Sequence, residues 1–354
     1  MSKRTLQRDV PVSELKETLK EFSARAGRLK KIAGIRRKPL RLNRRLVSRM
    51  GKDETRLLLW NKLKEAARAD IYDDIHELIR LTHESYEQFK RIIGTRYSTH
   101  RYITGQALQL VGADPAAFPK LLGYSTYPDE SESDMRDMVF EGHFYGKIFS
   151  GGEGNFLENL FPEGLLAVLE MVKKLRHGFD EDIREHAVMN FAKNCARVRN
   201  GGPEHFHLGV AAHYLQDLTA PHHVGNYPAV PYVDHYFFEK YASLYVHDSP
   251  QFVIAKADYD SFKGSLTSNP DQPEQFALEI YHRATEFIPY IATGLHAESP
   301  GTPGYENAVD DAVDACNSRL VSGSYKPWDD AINNAVPLAV YATAYLFETA
   351  LRLR

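Results

Sequence analysis

From Lys62 to Ile93 the apolar residues Leu63, Ala66, Ala67, Ile71, Ile75, Leu78, Ile79 and Leu81 recur close to every 3.6 positions, the mark of a helix with one inward face. Gly94 is placed to stop that helix. Similar periodicity predicts helices over 99–111, 162–177, 180–198, 206–218, 235–246, 273–293, 307–320 and 329–353. Between them, Gly151-Gly152-Glu153-Gly154-Asn155, Gly201-Gly202-Pro203 and Ser299-Pro300-Gly301-Thr302-Pro303-Gly304 read as loops. No internal repeat is present and no segment alternates like a strand. The pattern predicts an all-α fold.

Composition narrows this picture. A chain of 354 residues with 43% apolar content can bury a large core. One helical domain over 62–354, preceded by a basic extension over 1–61, flexible or helical, is the simplest division. Residues 1–56 carry 18 Lys or Arg against 6 Asp or Glu, a local +12; with −3 for the whole chain, the remainder carries −15. Residues 25–49 hold eleven basic residues and no acid. Such a tract is drawn to an anionic membrane surface or to nucleic acid by the same counterion physics, or folds back on its own acidic domain. No apolar run is long enough to span a bilayer, so no transmembrane segment is expected. The N-terminus lacks the apolar core of a signal peptide, which places the chain in the cytoplasm, with peripheral membrane association open to it. Cys195 and Cys316 stand far apart and outside any C-x-x-C, which suits a reducing compartment.

The chemistry is concentrated between His213 and Glu239. His213 and Asp217 are four apart and lie on one helix face, as do His235 and Glu239. Pro221 ends the first helix, Gly225, Pro228 and Pro231 keep the connection irregular, and Asp234 is placed to cap the second. His223 falls inside the bend. Imidazoles and carboxylates converging in this way are the usual nitrogen and oxygen ligands of Zn²⁺. A capped helix pair held by hydrogen bonds is the plainer reading of the same residues. Gly151-Gly152-Glu153-Gly154 lacks a preceding strand and is too short for a nucleotide-binding loop. His247-Asp248 is a two-residue match to an HD phosphohydrolase and is cut short by Ser249-Pro250.

His213-Tyr-Leu-Gln-Asp-Leu-Thr-Ala-Pro-His-His-Val-Gly-Asn226, followed by Asp234-His-Tyr-Phe-Phe-Glu239, resembles the signature of the bacterial zinc-dependent phospholipases C, whose all-helical fold is shared with the P1-type nucleases. Upstream, Thr99-His100-Arg101-Tyr102-Ile103, Tyr127-Pro128-Asp129 and Gly142-His143-Phe144-Tyr145 are similar to further family elements in family order. The likeness runs to the apolar segment ending at Leu353, about 255 residues. It implies two or three Zn²⁺ ions held by His100, Asp129, His143, His213, Asp217, His223, His235 and Glu239, with Asp217 bridging two of them. It implies a phosphodiester substrate, cleaved by metal-activated water; Asp129, if it joins zinc ligation to a hydrogen bond with that water, is the candidate general base. The short spacing from His223 to His235, and Glu239 in place of Asp, favour a phospholipid headgroup over single-stranded nucleic acid. A partner-binding protein with a structural cluster is the reading from another class.

The chain also departs from the family. Secreted members begin with a Trp that holds the third zinc, whereas this chain has about a hundred residues before His100 and no Trp between Trp60 and His100. Either His83, Glu84 or Glu87 supplies that ligand, or two ions suffice. Lys90 stands where choline-preferring members carry a carboxylate, so a choline preference is not implied. His205 and His207 have no counterpart in the pattern and read as structural.

Overall fold

The computed structural model describes residues 10–35, helical positions scattered between 77 and 92, and residues 98–130, 141–145, 186–201, 204–227, 234–248, 254–291, 305–321 and 325–351. Every regular element among them is helical, and the fold is all-α. The longer helices are α1 (Val10–Ile35), α2 (Thr99–Leu110), α3 (His186–Arg199), α4 (Glu204–Asp217), α5 (Asp234–Asp248), α6 (Lys256–Gly264), α7 (Pro273–Ala284), α8 (Tyr305–Val321) and α9 (Lys326–Ala350). Single turns at Pro119–Tyr124, Tyr127–Glu130, Glu141–His143 and Pro221–Val224 carry the chain between them. The predicted helix over 162–177, and most of that over 62–93, lie outside the described residues.

Helix α4 is the axis of the arrangement. It packs against α3, α2, α9 and the Pro119–Tyr124 turn. Its residues from Leu208 to Asp217 are all buried, the polar His213, Gln216 and Asp217 included, so over this stretch the helix is covered on every side. Gly209 makes the close approach to Pro119–Tyr124 possible, since a Cβ there would sit 2.6 Å from Tyr124 Cβ and 3.1 Å from Leu121 O. Helix α2 starts at Ser98, whose hydroxyl accepts the Arg101 N–H at 3.2 Å, and buries Ile103, Thr104, Ala107 and Leu108. Helix α9 crosses both α2 and α4. Its start is fixed to α5 by Tyr241, whose hydroxyl accepts the Tyr325 N–H at 2.7 Å and donates to Asp329 Oδ1 at 2.7 Å.

The stretch expected as a basic extension contains α1. Val12, Leu15, Leu19 and Phe22, spaced for one helix face, are buried in the common core. Gln88 donates to Thr18 Oγ1 at 2.8 Å, Arg91 pairs with Glu14 at 3.2 Å, and Lys16 pairs with Asp310 of α8 at 2.6 Å. The apolar residues dock this helix; the exposed ion pairs add little to it. Of its basic tract, the described part is helical to Ile35 and the rest lies outside the described residues.

One predicted boundary changes. The helix expected over 273–293 is α7 to Ala284, then a 3₁₀ turn at Thr285–Phe287 and a further turn at Ile288–Ile291. Pro289 has no N–H to give to the carbonyl four residues back and its ring crowds that carbonyl, which disturbs the α ladder over the turn where the 3₁₀ segment falls. Among the described residues no helix is long and apolar enough to cross a membrane.

Candidate metal centre

Six separate parts of the chain meet around the C-terminal end of α4. His100 comes from the first turn of α2, Asp129 from Tyr127–Glu130, His143 from Glu141–His143, and His213 and Asp217 from α4 itself. The Pro221–Val224 turn brings His223, and the first two turns of α5 bring His235 and Glu239. All eight residues named from the sequence therefore converge. Their ligand-type atoms form three groups, each with its members within 4.8 Å of one another: His223, His235 and Glu239; His143, His213 and Asp217; and His100, Asp129 and His213.

In the first group the Nε2 atoms of His223 and His235 are 3.2 Å apart, and Glu239 Oε1 lies 3.4 and 3.1 Å from them. In the second, His213 Nε2 is 2.9 Å from His143 Nδ1, and Asp217 Oδ2 is 3.0 Å from His143 Nδ1 and 3.2 Å from His213 Nε2. The third is wider: Asp129 reaches His100 Nε2 at 3.8 Å and His213 Nε2 at 3.6 Å. Asp217 spans the groups, with Oδ1 3.5 Å from His100 Nε2 while Oδ2 faces His143 and His213.

Hydrogen bonds behind the rings set which nitrogen faces inwards. His213 Nδ1 donates to Ser125 O at 2.9 Å, His223 Nδ1 to His143 O at 2.9 Å, and His235 Nδ1 to Tyr227 O at 2.8 Å. His100 Nδ1 lies 2.8 Å from Gln216 Oε1, and the Gln216 amide nitrogen donates to Thr104 Oγ1 at 3.0 Å. With Nδ1–H engaged, each neutral ring turns an Nε2 lone pair towards the centre, the arrangement that outer hydrogen bonds impose on metal-binding imidazoles. Lone pairs 3.2 Å apart repel unless a proton or a cation lies between them. A tetrahedral ion with bonds of about 2.0–2.1 Å needs ligand atoms roughly 3.3 Å apart. The first two groups have that span, and their nitrogen and carboxylate donors suit zinc.

Electrostatics point the same way. Burial alone would lower His213 and His223, but Asp217 with Asp129 raises the first to about 9, and Asp217 with Glu239 raises the second to about 9. Burial would raise Asp217, yet His213 and His223 hold it well below the carboxylate range. Asp129 is likewise pushed up by burial and drawn below its ordinary value by His213, His100 and His143. His100 is lowered by burial and by the neighbouring His213. The cluster keeps its carboxylates charged and gathers positive charge around them, which a metal would supply in place of protons.

Several supporting residues carry no metal-ligand signature in sequence. Gln216 is hidden because an amide beside a candidate ligand suggests nothing, and the Ser125 and Tyr227 contributions come from backbone. Asp234, expected as a cap, places Oδ2 2.8 Å from His222 Nε2. The doublets His222-His223 and Asp234-His235 were the available sign of this pair. Of the proposed sources for a third ligand, Glu84 is paired with Arg80 at 2.6 Å, neither it nor Glu87 joins the three groups, and His83 lies outside the described residues. His205 packs edge-on against Phe118, and His207 Nδ1 lies 3.0 Å from Asn194 Oδ1. A shallow depression of about 670 Å³ on α7, beside Glu279 and Arg283, shares no residue with the cluster.

Fold and site define an all-helical protein with a buried histidine–carboxylate cluster fit to hold metal ions. Among solved structures, the chain is similar to the alpha toxin from Clostridium absonum: 18% identity, TM-score 0.41, with 73% of this chain covered. The match spans 65% of the toxin chain, just under two thirds of its length. No family model and no curated protein matches the chain.

Proposed function

We propose that this protein is a zinc-dependent phosphodiesterase, hydrolysing a phospholipid headgroup in the manner of a phospholipase C. The observation that carries this reading is the convergence of eight sequence-distant ligand-type residues into three groups, two of them with the span a tetrahedral ion requires. His143, His213 and Asp217 would hold one ion, His223, His235 and Glu239 a second, and His100 with the Asp129 and Asp217 carboxylates would serve a third. Bound zinc supplies Lewis acidity, lowering the pKa of water towards about 7 and offsetting charge on phosphoryl oxygens.

The chain's residues do the remainder. Asp129 is the most open carboxylate of the cluster, its side chain 35% exposed, and its neighbours keep it ionised. It is placed to accept a proton from water arriving at the mouth of the site. Water oxygen bonds to phosphorus as the P–O bond to the diacylglycerol oxygen breaks, the water proton passes to Asp129, and the leaving oxygen takes up a proton. Buried His213, His223 and His235 stay fixed through their Nδ1 hydrogen bonds, so the site needs little rearrangement during turnover. The catalytic unit takes in residues 62–354 with α1 packed on it, and the basic tract over 25–49 draws the enzyme to anionic surfaces.

Metal analysis of purified protein, with assays on p-nitrophenylphosphocholine, mixed phospholipid vesicles and single-stranded DNA, each with and without chelator, tests the proposal. Chelator-sensitive headgroup release is the expected result. Cleavage of DNA alone makes the protein a nuclease, bound metal without turnover makes the cluster structural, and protein that takes up no zinc removes the reading altogether.

A further inference from the structure

Beside the first group of ligands lies a buried pair that the proposed reaction does not use. His222 Nε2 and Asp234 Oδ2 are 2.8 Å apart, and each side chain is 1% exposed. Each precedes a ligand in sequence: His222 before His223, and Asp234 before His235. The group they adjoin is assembled from two segments. His235 and Glu239 share α5, whereas His223 comes from the Pro221–Val224 turn. Only the placement of that turn against α5 decides whether His223 Nε2 meets His235 Nε2 at 3.2 Å.

The His222–Asp234 contact joins these two segments directly. The His222 ring also stacks on His235 at 4.9 Å between centroids and 18° between planes, and packs against Phe238 of α5 at 4.8 Å. On the opposite side, Phe144 stacks on His223 at 4.8 Å and 17°. Each of these two ligand rings is thus held by an aromatic ring stacked on its face.

Resting on the metal reading above, we infer that His222 and Asp234 are positioning residues, a staple that assembles the His223, His235 and Glu239 group before its ion arrives and sets the affinity of that ion alone. A charge-assisted hydrogen bond shielded from water holds its geometry well, and loss of such an outer partner typically weakens metal binding on the order of 10- to 100-fold. The His143, His213 and Asp217 group takes no ligand from either stapled segment, so its ion is expected to be unaffected.

Co²⁺ titration of metal-free full-length protein, read by its visible absorption and by competition with a chelator, tests this. A His235→Ala variant first identifies which spectral component and which binding phase belong to the stapled group. Asp234→Ala is expected to weaken that phase on the order of 10- to 100-fold and leave the other unchanged. Asp234→Asn keeps an oxygen that can accept the His222 N–H, so it is expected to recover most of the lost affinity; a merely structural role predicts no such selective rescue. If Asp234→Ala does not fold, the Asn variant decides, with a smaller weakening confined to the same phase. Equal weakening of both phases, or no change in either, overturns the staple. Wild-type protein that binds no Co²⁺ or Zn²⁺ defeats the metal reading instead.

Discussion

Asp129 and Glu279 show how differently one carboxylate can be used. Asp129 is the most exposed carboxylate of the cluster, with His100, His143 and His213 beside it, and in the proposed reaction it takes the proton of water. Asp129→Asn should lower turnover by about 10²–10⁴-fold while the metal-free melting temperature stays near that of the wild type; retained activity in steady-state assays would remove Asp129 from the reaction. Glu279 is structural. Burial would raise its pKa, but Ser268, the Thr267 N–H and hydroxyl, and Arg283 bring it down to about 2. Because its folded value lies below the unfolded 4.5, its contribution is present in full above about pH 4.5 and is lost as pH falls towards 2. Melting temperatures of Glu279→Gln and wild type should differ at neutral pH and converge across that window. At this scale the sequence was most legible where chemistry is carried by side-chain type: His100, Asp129, His143, His213, Asp217, His223, His235 and Glu239 all meet. It was least legible where a carbonyl such as Ser125 O, or an amide such as Gln216, does the orienting, because neither leaves a compositional trace.

Between elements, the closest approach is that of α4 to the Pro119–Tyr124 turn. A methyl group at Gly209 would have to displace the Tyr124 Cβ and backbone, not a flexible side-chain tip. Gly209→Ala should therefore destabilise the protein by about 1–3 kcal/mol, measured by chemical denaturation. Helix α1 makes a second case. Phe22 is 1% exposed, and Phe22→Ala should cost about 3–5 kcal/mol. A change within the noise of the denaturation curve would mean that α1 is not held to the body in solution. Deleting residues 1–61 would remove this packing together with the basic tract, so charge-neutralising substitutions are the cleaner probe of membrane recruitment. In sequence the charge of this segment overshadows the i, i+3, i+4 run of Val12, Leu15, Leu19 and Phe22 that docks it. Periodicity continues through Pro289 and so hides the 3₁₀ turn that ends α7, since apolar spacing does not register a change of hydrogen-bond pattern.

Across the whole molecule, the cluster ties together α2, α4, α5 and three turns that are distant in sequence. Ions bound there stabilise only the folded chain, by RT ln(1 + [L]/Kd), about 4 kcal/mol at a thousandfold excess over Kd. Removing metal should lower the melting temperature, and adding Zn²⁺ back should restore it; scanning calorimetry with and without chelator checks this, and an unchanged transition would count against a metal-loaded resting state. The all-α class was legible from periodicity alone. The order in which helices surround α4 was not, since a stretch buried on all sides, its polar residues included, has no solvent-facing side to orient it.

The hydrogen bond from His213 Nδ1 to Ser125 O has a consequence for stoichiometry. It leaves that ring a single donor electron pair, although the ring belongs to two of the three ligand groups. Once His213 serves the ion beside His143, any neighbour taken up at His100 must complete its coordination from the two aspartates and solvent. An ion bound at His100 would then be the most weakly held, and the one dialysis should strip first.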